Sequence, residues 1–209
     1  MFRDRTDAGN QLSALIRDRV SPPAVILAIP RGGVVVGWRV AAALGWPLDL
    51  VVTKKIGAPG NPELGIGAAA IGVRVLDTDV IEALGVPMSW VEHESARVDA
   101  EVRRRDAVFR SERPRAHLDH VTAVVVDDGV ATGGTARAAG LWGRAHGATR
   151  VILAVPVGPP DLGHRMRDAF DEVLVLDTPG SFRAVGEAYA DFDQVNDDKV
   201  LAVLATAWA

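Results

Sequence analysis

Short apolar runs, rich in β-branched residues, alternate with longer helical patterns, and this alternation constrains the fold more than any other feature of the chain. Residues 25–29, 48–53, 121–126, 150–155 and 172–176 have strand length and are apolar at nearly every position. A strand without polar alternation is buried on both faces, the situation of a parallel sheet covered by helices on each side. Residues 34–44 form an Ala/Val-rich helical pattern that ends near Gly45, and a second runs from about Gly133 to His146 and stops at Gly147. The pattern predicts an α/β fold with a mostly parallel, five-stranded core sheet flanked by helices. Ligands of such sheets bind at the carboxyl ends of the strands, so those ends are where chemistry is sought.

Two regions break the rhythm. Residues 54–72 hold five glycines and two prolines and read as a long loop leading into short strands, with 68–71 and 73–76 paired as a hairpin about Gly72. Residues 89–113 read as a long charged helix stopped before Pro114, its arginines on a solvated face or, alternatively, on a partner-binding surface. At 209 residues and 48% apolar content the chain suffices for one complete core and is expected to form a single domain over 1–209. A net charge of -4 argues against general nucleic-acid binding while leaving room for a local cationic pocket. The absence of cysteine removes disulfides, thiolate zinc sites and cysteine nucleophiles, and fits a reducing cytoplasm. No secretory signal is expected from the charged Met1-Phe2-Arg3-Asp4-Arg5 start, and no membrane span from apolar runs far below the ~20 residues required. The five histidines lack metal or triad spacing and read as surface residues.

The segment Val124-Val125-Val126-Asp127-Asp128-Gly129-Val130-Ala131-Thr132-Gly133-Gly134-Thr135 carries the strongest chemical signal. An apolar strand delivers two adjacent carboxylates to its carboxyl end, and a Gly/Thr-rich turn then opens a helix. That helix N-terminus offers unpaired N–H groups and the positive end of a dipole, which suit a phosphate. Gly133 and Gly134 allow close approach, and Thr132 and Thr135 add hydroxyls. Like charges repel, so the acidic pair suits the hydroxyls of a sugar rather than its phosphate. The residues alone therefore read as a sugar-phosphate site, with an ordinary capped βα turn as the plain alternative. Pro30-Arg31-Gly32-Gly33, a cation beside two glycines at the end of the first strand, suits a second anion or a tight βα turn.

With these residues the chain resembles the type I phosphoribosyltransferase family. The resemblance covers about residues 25–176 and implies that family's fold, with a core over about 24–177, a flexible flap over about 54–76 and a small C-terminal hood over about 178–209. It implies Mg²⁺-dependent transfer of the phosphoribosyl group from phosphoribosyl diphosphate (PRPP) to a nitrogen acceptor, a nucleobase in nucleotide salvage, by a cytoplasmic homodimer. Asp127 and Asp128 would then bind the ribose 2′- and 3′-hydroxyls; Ala131, Thr132, Gly133, Gly134 and Thr135 the 5′-phosphate; Pro30, Arg31, Gly32 and Gly33 the pyrophosphate, with a cis or strained Pro30–Arg31 bond. Lys54 or Lys55 would neutralise the leaving group as the flap closes, either of which also reads as a surface lysine. Phe182 would stack on a base or simply pack in the core. The metal would be held mainly by PRPP, with Asp127, Asp128 and Asp191 as protein candidates. Enzymes for 6-oxopurines usually carry an aspartate where this chain has Ala131, a departure that lowers those bases as acceptors. Two alternatives are a PRPP- or nucleotide-sensing regulator and a subunit that needs a separate partner. Residues 2–9 are expected to serve an N-terminal helix that packs on the domain.

Overall fold

The computed structural model describes residues 1–208. In chain order its elements are α1 (Arg5–Arg19), β1 (Ala24–Ala28), α2 (Gly32–Leu44), β2 (Leu48–Leu50), β3 (Thr53–Ala58), β4 (Asn61–Ala70), β5 (Val73–Leu76), α3 (Thr78–Ala83), α4 (Met88–Arg110), β6 (Thr122–Val126), α5 (Gly134–Ala145), β7 (Arg150–Val157), α6 (Leu162–Arg165), β8 (Glu172–Asp177) and α7 (Asp197–Ala207). Five strands form one parallel sheet in the order β2-β1-β6-β7-β8, as the doubly buried runs predict.

The sheet sorts its side chains by parity. Ile26, Ala28, Val124, Val126, Ile152 and Ala154 join a core with α1, α2 and α7, while Val25, Leu27, Val125, Leu153 and Val155 pack with α5 on the other face. Successive strand residues point to opposite faces, so an all-apolar strand supplies two cores at once. Each fully buried Leu, Ile or Val contributes about 1.5–3 kcal/mol from area alone. From β1 the chain crosses to β2 on one side, and from β6 it crosses to β7 on the other. The loops leaving these two neighbouring strands therefore diverge and open a crevice between them, the switch point where such sheets bind ligands.

Residues 48–53 are not one strand. β2 ends at Leu50, and Thr53 begins β3 in a separate antiparallel sheet of order β3-β4-β5. That sheet also replaces the expected long loop over 54–72. The glycines there mark close backbone approach rather than disorder: the register shifts at Gly57, where a Cβ would lie 2.6 Å from the backbone of Pro62. The β4–β5 hairpin does turn at Gly72, with φ +76°. The expected hood also divides. Residues 178–193 pack with Phe2, whose backbone bridges to Tyr189, whereas α7 returns to the main core through Val200 and Leu204. The last residue of the expected hood, Ala209, lies outside the described residues.

Helix α4 begins at Met88 and ends at Arg110. Most of its outward arginines are matched on the same helix: Arg97 pairs with Glu94, and Arg104 and Arg105 both pair with Glu101, while exposed Arg103 has no ion pair among the described residues. The Arg104 hydrogen bond first, then that of Arg105, outweighs partial desolvation and holds the Glu101 carboxyl down at about 2. This is mainly a solvated ion-pair ladder, with Arg103 as the one exposed arginine of α4 outside it among the described residues. No described helix is long and apolar enough to cross a membrane.

Candidate active site

The ends of β1 and β6 are tied together where the crevice opens. Ile29 N–H donates to the Val126 carbonyl at 2.9 Å, which sets Pro30–Gly33 beside Asp127 and Asp128. The Pro30–Arg31 bond is cis. Arg31 occupies the N-cap position of α2, and its guanidinium forms no ion pair among the described residues. A Cβ at Gly32 would lie 1.8 Å from Asp128 Oδ2, and one at Gly33 would lie 2.8 Å from Asp127 Cα. The loops touch, and both positions are glycine because the acidic segment fills the space a side chain would need.

The turn after the acids is anchored at both ends. Val130 N–H donates to the Val157 carbonyl at 3.0 Å, and Arg165 donates to the carbonyls of Ala131 (3.4 Å) and Thr132. Gly133 N-caps α5 with φ +88°, a conformation that favours glycine. None of the N–H groups of Ala131, Thr132, Gly133, Gly134 or Thr135 has a hydrogen-bond partner among the described residues; the same holds for Arg31, Gly32 and Gly33. Two helix N-termini with open donors thus flank a pair of carboxylates, a layout that suits an anionic group at each end of a polyol.

Burial, then the charge of Asp128, raises the Asp127 carboxyl well above the ordinary carboxylate range. Asp127 Oδ1 accepts the Asp128 N–H at 2.9 Å. Asp128 Oδ2 accepts from Arg5 Nε at 2.7 Å, and the Asp128 carbonyl accepts from the Tyr189 hydroxyl. Burial, then the Asp128 charge, raises the Tyr189 phenol, which keeps it a donor.

The two lysines part company on β3. Lys55 lines a cavity of about 320 Å³ with Thr132, Gly133, Gly134, Thr135, Arg137 and Arg165, and its Nζ donates to the Glu63 carbonyl at 2.8 Å. Lys54 turns to the opposite face, against α4, where burial first and the Arg105 charge second lower its pKa. Period-2 alternation allows one of two adjacent strand lysines to face the Gly/Thr turn. Phe182 is half-buried at the edge of the small cluster of Phe2, Val157 and Tyr189. Asp191 is exposed, accepts from the Asp193 N–H at 3.2 Å, and lines a pocket with Arg5 that Asp127 and Asp128 do not line. All five histidines are exposed.

Sequence reasoning missed Arg5, Tyr189 and Arg165. Arg165 and Tyr189 carry no local signal. Arg5 does carry one: it is the first residue of α1, where the helix dipole disfavours a cation, and so needs a partner elsewhere.

The fold and this strand–turn–helix site define a phosphoribosyltransferase-type crevice. A family model described as the phosphoribosyl transferase domain matches residues 6–190, and the chain belongs to that family. It is 44% identical over 208 residues to a Mycobacterium tuberculosis protein named "Putative phosphoribosyl transferase", covering 99% of this chain and 47% of that one, so the chain spans about half the length of that curated relative. The crystal structure of TT1426 from Thermus thermophilus superposes with a TM-score of 0.82 at 40% identity and 98% coverage of each chain. AQ2163 from Aquifex aeolicus shares the fold, with a TM-score of 0.52 at 12% identity over 96% of this chain and 86% of that chain.

Proposed function

We propose that this domain transfers the phosphoribosyl group of PRPP to a nitrogen acceptor, releasing pyrophosphate. The observation that carries the reading is the pair of helix N-termini with open N–H donors on either side of Asp127 and Asp128. PRPP has the matching form, with a phosphate at one end, a diphosphate at the other and hydroxyls between. The turn at Ala131–Thr135 takes the 5′-phosphate, the Pro30–Gly33 loop the pyrophosphate, and the carboxylates the ribose hydroxyls. The acceptor nitrogen attacks C1 as the C1–pyrophosphate bond breaks, and the bonding pair leaves with pyrophosphate. Positioning and charge stabilisation do the work: the carboxylates fix the ribose and favour positive charge on its ring.

No group of three or more His, Cys, Asp or Glu among the described residues could hold a metal by itself. The hard oxygens of Asp127 and Asp128 fit Mg²⁺ carried in on PRPP, since Mg²⁺ is commonly held by one or two carboxylates plus substrate phosphates. Bound there, the ion would neutralise charge on the leaving pyrophosphate. Ala131 offers no carboxylate to a purine ring nitrogen, which supports acceptors other than 6-oxopurines. Phe182, at the rim, is the candidate for stacking on the acceptor.

The test is pyrophosphate release from PRPP and Mg²⁺ against purine, pyrimidine and orotate acceptors. Acceptor-dependent release supports the reading; PRPP binding with no turnover on any acceptor turns it toward a sensor. Two variants sharpen it. Lys55→Ala is expected to lower turnover at least tenfold through lost charge at the phosphate turn, while Lys54→Met stays within about threefold; equal effects contradict the division of the two lysines. Gly32→Ala pushes a methyl into the Asp128–Arg5 pair and is expected to weaken PRPP binding on the order of a hundredfold in a chain that still folds, with thermal stability lowered by on the order of a few °C. Native affinity in that variant contradicts the placement of the ribose at Asp128.

A further inference from the structure

Arg5 lies 123 residues from Asp128 in sequence, yet its side chain is 10% exposed and spent almost wholly on the acidic loop and its surroundings. Nε donates to Asp128 Oδ2 at 2.7 Å, and Nη1 donates to the Asp193 carbonyl at 2.7 Å. The guanidinium centre sits 3.8 Å from the centroid of the Phe192 ring. Three separate contacts therefore aim one planar cation. Asp128 is held a second time through its backbone, by the Tyr189 hydroxyl, and Tyr189 is itself tied to Phe2 by a backbone bridge and ring contact at 5.4 Å. The N-terminus and residues 189–193 thus close on the same acid from one side. Asp128 Oδ1 has no hydrogen-bond partner among the described residues.

We propose that Arg5 is a positioning residue for sugar binding: it fixes Oδ2 of Asp128, so that Oδ1 is presented in one orientation to a ribose hydroxyl. The inference rests on the PRPP reading given above. Other charged groups near Arg5 are Asp4, Asp191, Asp193 and Lys199, which line the shallow pocket on its outer side, and none of them contacts Asp128. An arginine fork is needed here because one group must reach a carboxylate, a carbonyl and a ring face together, which an ammonium does not do. The first turn of α1, a segment that would otherwise serve packing alone, thereby becomes part of the sugar site.

The test is titration of the full chain, in Mg²⁺, with PRPP, ribose 5-phosphate and inorganic pyrophosphate, for the native protein, Arg5→Met, Arg5→Lys and an Arg3→Gln control. Arg3 pairs with Asp7 at the exposed start of the same helix. Arg5→Met is expected to weaken PRPP and ribose 5-phosphate at least about tenfold while pyrophosphate binds as in the native protein. Arg5→Lys should fall between, and Arg3→Gln should match the native chain. Equal loss of all three ligands would show general damage or direct anion binding and overturn the proposal, as would native affinity for ribose 5-phosphate in Arg5→Met. Should Arg5→Met fail to fold, Arg5→Lys decides by the same contrast between ribose 5-phosphate and pyrophosphate. Failure of the native chain to bind PRPP would instead remove the functional reading, and this inference with it.

Discussion

Asp127→Asn is expected to make the protein more stable and nearly inactive. Burial and the charge of Asp128 disfavour ionised Asp127, so its folded pKa lies above its unfolded one. A carboxyl raised in this way adds stability below its unfolded pKa and loses it as pH rises through the folded value. At neutral pH the carboxyl therefore costs the native fold stability, because it ionises more easily in the unfolded chain. Asparagine keeps the Oδ1 acceptor for the Asp128 N–H and removes the charge. Thermal unfolding should show the variant above the native protein by on the order of a few °C at pH 7, with the gap closing near pH 4. Turnover should fall by at least about a hundredfold, because a neutral amide does not stabilise a positive ribose ring. Stability exchanged for function is the mark of an active-site charge; a variant less stable than the native protein at pH 7 would contradict the account of Asp127.

The second large effect belongs to the fold. Asp49, 3% exposed on β2, accepts from Leu50 N–H at 2.7 Å, Ala116 N–H at 2.7 Å and Arg110 Nη1 at 2.6 Å. Arg110 is 6% exposed and reaches Asp106 at 3.6 Å as well, and Arg115 also donates to Asp106. The network joins the edge strand to the end of α4 and the segment that leads back to β6. Asp49→Ala would leave the buried Arg110 guanidinium with only the longer Asp106 contact and the Leu50 carbonyl, and would orphan a buried N–H, at about 3 kcal/mol. Calorimetry should find unfolding lowered by on the order of 10 °C. Asp49→Ala/Arg110→Met should recover part of that, since the poorly compensated buried charge is gone too. A single variant within about 2 °C of native would show that the network is not buried as described.

Which parts of this architecture the sequence revealed follows from how local each signal was. The central core strands could be read because burial on both faces leaves few polar residues to interrupt them, as in Val124-Val125-Val126. The placing of Asp127 through Thr135 at the end of one strand and the start of the next helix could be read because they lie on one continuous strand–turn–helix. The flap sheet was concealed by its glycines, whose composition is that of a loop while Gly57 serves a bulge and Gly67 lies against the Val75 carbonyl. Residues 48–53 hid a change of sheet, since Val51 and Val52 are buried whether or not the strand continues. Which lysine faces the turn at Thr132–Thr135 depends on the register of β3, which two adjacent identical residues cannot reveal. Arg5 and Tyr189 are tertiary partners of Asp128 from opposite ends of the chain, and only folding brings them together.

Calorimetric titration of PRPP with Mg²⁺ into the native chain and into Asp127→Asn/Asp128→Asn tests the central claim most directly. Saturable binding at one site to the native chain is expected, with its loss in a double variant that is still folded. No binding to the native chain, or equal binding to both, would contradict it.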